Sequence, residues 1–432
     1  MISVNDYRCT TDSETLEAAI AARTADGIVV IPPRVSDIEP ERTYWLIDRA
    51  ILIPENTTIV LQNCKIKLSD RCRDNFFRSA NCGIGIEFPE PIRNIHLRGE
   101  GLCILEGADH PRAVGDGSKI LKNPCPYRDE DILKYADYVD EDRRQSGKLN
   151  WNDHHAYSYG TDAGKEGESQ YGDWRGIGVL FANAENFSIS GLRLVRTHGW
   201  GISMEACSHG YVSKIDFDSH MYGNVDGMDM NMENQDGVNL RNGCHDIIVS
   251  DITGQTGDDV VALTAIANPN YEPGGSLRNT HVMHNDWTKR ERDIHDVIIR
   301  NVVAHSYHCY EVRLLPSNAS VYNIVIDGVI DTAPTLDHES HGTILLGDSS
   351  YGDFSKMEKM MNDLRNITIS NCICGNLSKS SNEGKAIMLE GYLKDSTITN
   401  VINKNPAHPV ITVKREEGLI NVTASGLVTA NK

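Results

Sequence analysis

The chain has 432 residues, 40% of them hydrophobic, with 42 Lys and Arg against 61 Asp and Glu and a net charge of -19. That is enough apolar sequence for a large core, and the acidic balance argues against nucleic acid or an anionic membrane as partner and sits awkwardly with a polyuronate. No stretch reaches the roughly 18 apolar residues of a membrane span, and Met1 to Tyr7 has no basic region leading into an apolar core, so the expectation is a cytoplasmic protein.

Thr11 to Arg23 predicts an amphipathic helix: Thr11 and Glu14 have capping-box spacing, and Leu16, Ala19 and Ile20 fall on one face. In a coil of strands, such a helix would cover the open end, where the first rung exposes unpaired backbone groups and an apolar interior. Strands begin at Gly27-Ile-Val-Val-Ile-Pro-Pro. From there a loose repeat recurs, an apolar strand opened by Asn or Asp: Asn56, Asn94, Asn186, Asp246, Asp296, Asn323 and Asn366 each begin one. A second short strand follows each after a turn. Irregularly spaced strand–turn–strand units describe a solenoid whose rungs carry insertions of different length. The fold predicted is all-β, a right-handed parallel β-helix with an N-terminal capping helix, forming a single domain over 1–432. A β-sandwich is the alternative, but hairpin signals are nearly absent apart from Asn242-Gly243.

Two insertions interrupt the repeat. Residues 110–175 are polar and charge-mixed, with Trp151, His154, His155, Tyr157, Tyr159, Tyr171 and Trp174 near the end. Aromatic planes beside polar groups suit the wall of a sugar cleft, and equally the small core of a self-packed loop. Residues 268–292 carry Tyr271, His281, His284 and Trp287, and would shape the same cleft or an oligomer contact. The pairs His281/His284 and His338/His341 lack a third ligand at any recognisable spacing, so no metal and no cofactor is expected. The eleven cysteines, odd in number and without a C-x-x-C pair, suit buried thiols in a reducing compartment; Cys372 and Cys374 point to one side of a strand and read as core.

The acids concentrate in Asn234-Gln235-Asp236-Gly237 and Thr256-Gly257-Asp258-Asp259, with 22 residues from Asp236 to Asp258. If one rung takes about that length, three carboxylates gather on one face. Close carboxylates repel, so that one holds a proton while its neighbours stay ionised, which supplies an acid and a base at one pH. Cleavage of a glycosidic bond needs that division. Taken singly, Asp-Gly and Asp-Asp are also common turn residues.

The two segments resemble the Asn-Thr-Asp-Gly and Gly-Asp-Asp motifs of glycoside hydrolase family 28, the polygalacturonases. The stretch from Ser190-Gly191-Leu192 to Gly199-Trp200-Gly201-Ile202 is similar to the family's preceding rung, and the strand–helix–strand opening is similar too. The resemblance implies a parallel β-helix and inverting hydrolysis of pectin-derived or related oligosaccharides. It makes Asp258 the general acid, Asp236 and Asp259 the pair that positions water, and His308 an assistant to the acid. Asn234, Trp200 and Arg313 become substrate-binding residues. The family's Gly-His-Gly and Arg-Ile-Lys motifs are matched only by Tyr307-His308-Cys309 and Val312-Arg313-Leu314-Leu315, without the glycines and with Leu315 where a Lys would stand. A missing cation weakens the grip on a sugar carboxylate. Because neighbours along a strand point to opposite faces, Asp258 and Asp259 can share one side only if the chain bends beside Gly257. Two other readings stay open: a calcium-dependent polysaccharide lyase on the same fold, and a β-helix that binds carbohydrate without turnover.

Overall fold

The computed structural model describes the chain except residues 38, 70–71, 73, 84–85, 87, 110–172, 220–221, 226–227, 232–233, 267–280, 283–291, 318, 335–339, 349–362, 379–381 and 432. Most of the insertion at 110–175 and of that at 268–292 therefore lies outside the described residues, as does His338. The fold is a right-handed parallel β-helix, made of parallel strands in two main ladders. Among the described residues, one antiparallel pair departs from this, Tyr222–Val225 with Met228–Asn231. The parallel register excludes the sandwich.

The chain divides into two compact units: Met1–Ser203, Asp218–Gln235 and Ser276–His284 form one, and Met204–Phe217, Asp236–Gly275 and Asn285–Lys432 the other. In the first unit the helix spans Asp12–Ala21, two residues shorter than Thr11 to Arg23 suggests at its far end. The Thr11 side chain accepts from the Glu14 N–H at 3.2 Å and Glu14 accepts from the Thr11 N–H at 3.0 Å. Its buried face packs on Trp45–Ile47 and Ile51–Ile53. Beyond Ala22, the Gly27 N–H closes a turn onto the Thr24 carbonyl at 2.9 Å, and the strand Ile28–Ile31 begins. Residues one rung apart then align: Val29, Ile59, Leu97 and Ile189 stack in register and none is exposed.

In the second unit the long ladder runs from His245–Thr256 through Ile294–Ser306, Val321–Asp331 and Asp363–Cys374 to Tyr392–Asn403 and Leu419–Thr429. The short ladder runs from Val238–Arg241 through Val261–Ile266, Tyr310–Ser317 and Gly342–Leu346 to Lys385–Leu389 and Ile411–Val413. Two apolar columns fill the interior, Val249-Ile299-Ile326-Ile369-Ile398 and Val238-Val261-Val312-Ile344-Ile387. All ten side chains are fully buried. Cys372 and Cys374 are buried with them.

The Asn and Asp that open strands have a conformational cause. Asn56, Asn94, Asn186, Asp246, Asp296, Asn323 and Asn366 all adopt left-handed φ between 54° and 57°. Most residues pay roughly 1–2 kcal/mol there, and Asn and Asp are tolerated because their short polar side chains bond locally. Here they also bond between rungs: Asn94 donates to Asn56 and Asn186 to Asn94, both at 2.6 Å, and in the second unit Asn323 donates to Asp296 at 2.8 Å and Asn366 to Asn323 at 3.0 Å. Asn242-Gly243 is no hairpin. Gly243, at φ 75°, turns the chain from Val238–Arg241 into His245–Thr256, while Asn242 bonds both the carbonyl and the N–H of Ile266.

Candidate functional site

The site forms in the second unit, where the short ladder starts. After Thr256 the chain bends at Gly257 and Asp258 before it re-enters a strand at Val261. The Thr256 hydroxyl donates to the Asp258 carbonyl at 2.6 Å, and the Asp259 N–H donates to the Asp258 carboxylate at 3.0 Å, which locks the bend. Both acids therefore turn to the same side. Oxygens of Asp258 and Asp259 and the Cys309 sulfur all lie within 4.8 Å of one another.

One rung earlier, the Gly237 N–H donates to the Asp259 carbonyl at 2.8 Å, so that Asp236 stacks against Asp259. Gly237 is required by this approach rather than by a turn: a Cβ there would lie 2.4 Å from the Val260 carbonyl oxygen. Asn239, three residues after Asp236, donates to it at 3.0 Å. One rung later, the Tyr310 N–H donates to Asp259 at 3.1 Å and Arg313 to its other oxygen at 3.0 Å. Arg313 reaches back past Ala262, its small register partner, and its second nitrogen is bound by Asp348.

Burial sets the electrostatics. It pushes Asp236 well above the usual carboxylate range, and the charges of Asp258 and Asp259 push the same way. Burial also raises Asp259, to about 7, against the opposing pull of Arg313. Asp259 has a cation and a backbone donor, whereas the Asn239 amide on Asp236 is neutral; the proton therefore resides first on Asp236. Burial, then the adjacent Asp258 and Asp259, raises the Cys309 thiol, so it stays protonated. The His308 ring packs on His341 with centroids 4.8 Å apart, and its buried Nδ1 has no hydrogen-bond partner among the described residues. Burial and His308 together depress His341.

Asp236, Asp258, Asp259 and Arg313 thus come together, with His308 in the bend beside Cys309. Trp200 and Asn234 belong to the first unit. Trp200 is 5% exposed and presents no face to solvent, and Asn234 takes left-handed φ of 54°. Sequence reasoning missed Asn239, Cys309, His341 and Asp348. Asn239 lies three residues after Asp236, a spacing that strand parity places on the opposite face, and Asp348, 35 residues after Arg313, carried no signal either. For a cation, Asp258, Asp259 and Cys309 offer a mixed oxygen and sulfur set that suits a hard ion such as calcium poorly.

No family model matches the chain, and no curated protein matches it. Solved structures do. A double mutant of the tailspike protein of E. coli bacteriophage HK620, in complex with a pentasaccharide, is 12% identical with a TM-score of 0.58, covering 100% of this chain and 67% of that one. A hyperthermoactive exopolygalacturonase from Thermotoga maritima is 15% identical with a TM-score of 0.50, covering 98% of this chain and 91% of that one. In a further tailspike match this chain spans 66% of the other's length, about two thirds. At such identities the likeness establishes the shared architecture, a right-handed parallel β-helix.

Proposed function

We propose that the protein is a glycoside hydrolase acting on oligosaccharides, with Asp236, Asp258 and Asp259 as its working carboxylates. The observation that carries the reading is the convergence of three acids from two rungs into one partly desolvated cluster, in which burial raises Asp236 and Asp259 above the usual carboxylate range. Two β-helical structures with the same architecture are named for a carbohydrate they bind or cleave, which supports the substrate class. Asp258 is the least buried of the three, so it is the acid that a leaving-group oxygen reaches. Asp259, steadied by Arg313, serves as the base and shares its proton balance with Asp236 across the rung. His308, in the bend beside Cys309, is the assistant to Asp258 in this reading.

The stereochemical outcome is open to direct test. Inverting enzymes separate acid and base by roughly 6.5–9.5 Å, whereas retaining enzymes hold them at about 5–5.5 Å. Oxygens of Asp258 and Asp259 lie within 4.8 Å, so inversion requires the water to sit toward Asp236. Proton NMR of the first-formed anomer decides: inversion supports this assignment, and retention makes one member of the Asp258/Asp259 pair a nucleophile. Replacing Asp258 with Asn is expected to lower turnover by about 10²–10⁴ in the presence of chelator. Turnover that vanishes with chelator alone, giving unsaturated products, would instead mark a lyase.

One observation favours a second reading, a carbohydrate-binding β-helix without turnover. Asp236 is 6% exposed and Asp259 not at all, so the two base carboxyls are sealed from solvent. That reading predicts sugar binding that survives Asp258→Asn, with no product.

A further inference from the structure

Among the described residues, the cation at the site is committed to protein carboxylates on both sides. Arg313 bonds Asp259 at 3.0 Å and is gripped by Asp348 through its other terminal nitrogen, with side-chain exposures of 15%, 1% and 10% for the three. Asp348 is placed there by the backbone. Its predecessor Gly347 adopts φ of 78° and donates its N–H to the Leu314 carbonyl at 2.8 Å, and a Cβ at 347 would lie 2.7 Å from the Gly391 nitrogen. The turn after Gly342–Leu346 is therefore tied to the Arg313 strand and delivers Asp348 onto the guanidinium.

A buried cation held by two carboxylates does not leave them for a third without stranding both, and breaking such a pair is strongly unfavourable. Asp259 and Asp348 hold the guanidinium, Asp258 lies within 4.8 Å of Asp259, and the Arg313 charge acts on Asp236, so the local field opposes an anionic sugar, as does the net charge of -19. Directly above Arg313 in register stands Leu345, followed by Met388, neither of which offers charge to a substrate.

We infer that Asp348 is a specificity-determining residue that withholds Arg313 from the substrate, and that the site accepts neutral glycosides rather than uronates. The inference rests on the glycoside-hydrolase reading for the location of the site. Its claim about charge is separable, because binding preference is readable without turnover.

The test uses matched pairs that differ only in the carboxylate: oligogalacturonides with their methyl esters, and glucuronate-containing oligosaccharides with their carboxyl-reduced counterparts. Binding is followed by ligand-observed NMR at pH 7, and KM and kcat wherever a pair is cleaved. The wild-type protein is expected to prefer the neutral member by at least about tenfold, the worth of one charge-assisted hydrogen bond. In Asp348→Asn, where one guanidinium edge is released, the gap narrows by a similar factor, read as a fall in Kd or KM for the acidic member relative to the neutral one. Circular dichroism checks that the variant is folded, and Asp348→Ser serves if it is not. Equal or better binding of the acidic member by wild type, an unchanged preference in the folded variant, or binding of neither member of any pair overturns the inference. Neutral preference in binding without any cleavage would sustain it while removing the hydrolase reading.

Discussion

At the scale of single residues, the site is governed by how much charge the described residues confine beside Arg313. Asp236 and Asp259 hold protons above the usual carboxylate range. A carboxyl whose pKa is raised on folding binds its proton more tightly in the native state, so its contribution to stability falls as pH rises from the unfolded value of about 3.9 through the folded one. For Asp259 that window closes at about 7, and for Asp236 the shift is in the same direction. Below pH 4 both states are protonated and the effect is absent. Asp236→Asn keeps an oxygen for the Asn239 amide and removes the charge, so urea unfolding between pH 5 and 8 is expected to show a flatter pH dependence than wild type. An unchanged slope would mean that Asp236 is ionised in the folded protein. The three acids were legible as chemistry in the sequence because their rung-length spacing survives as a number. Asp348 was not, since its role depends on which turn lands over Arg313.

At the scale of elements, the coil is organised by corners. The strand-opening Asn and Asp were visible in the sequence, but their meaning was not: each is a left-handed corner, and in the second unit a second corner follows five residues later. Asp251, Asn301, Gly328, Asn371, Asn400 and Gly426 all have positive φ and align rung upon rung. That second series was hidden because two members are Gly, and its alignment becomes plain only in register. The residue before each first corner also aligns. His245, His295 and Tyr322 stack at 5.0 Å between successive ring centroids, and Arg365 covers Tyr322 at 4.1 Å. The corner account is testable at Asn323, which bonds both neighbours. Asn323→Ala should lose about 1–2 kcal/mol in denaturant unfolding, and Asn323→Gly clearly less, because glycine tolerates the backbone angle. Equal losses would shift the cause to the side-chain ladder. The antiparallel pair Tyr222–Val225 with Met228–Asn231 was overlooked although the sequence between them, Asp226-Gly227, is a two-residue hairpin signal.

At the scale of the whole molecule, the fold was legible because a solenoid repeats its evidence: apolar alternation, a corner residue and a turn recur in nearly every rung. The capping helix was legible because the Thr11–Glu14 box is local. Thr11→Ala is expected to cost about 0.5–2 kcal/mol, the usual range for an N-cap, read as a lower unfolding midpoint with the coil's strand signature intact. No loss at all would mean that the packing of Leu16, Ala19 and Ile20 alone fixes the helix. What sequence could not supply was the pairing of side chains from different rungs, which set Arg313 between Asp259 and Asp348.

The central claim is that three carboxylates in this coil add water across a glycosidic bond. The most direct measurement is mass spectrometry of products formed in ¹⁸O-water, with chelator present, from a panel of neutral and acidic plant oligosaccharides, for the wild-type protein and Asp258→Asn. The account predicts one heavy oxygen gained per cleavage by the wild-type protein and loss of product in the variant. Products that carry no water-derived oxygen, or a variant as active as wild type, would contradict it.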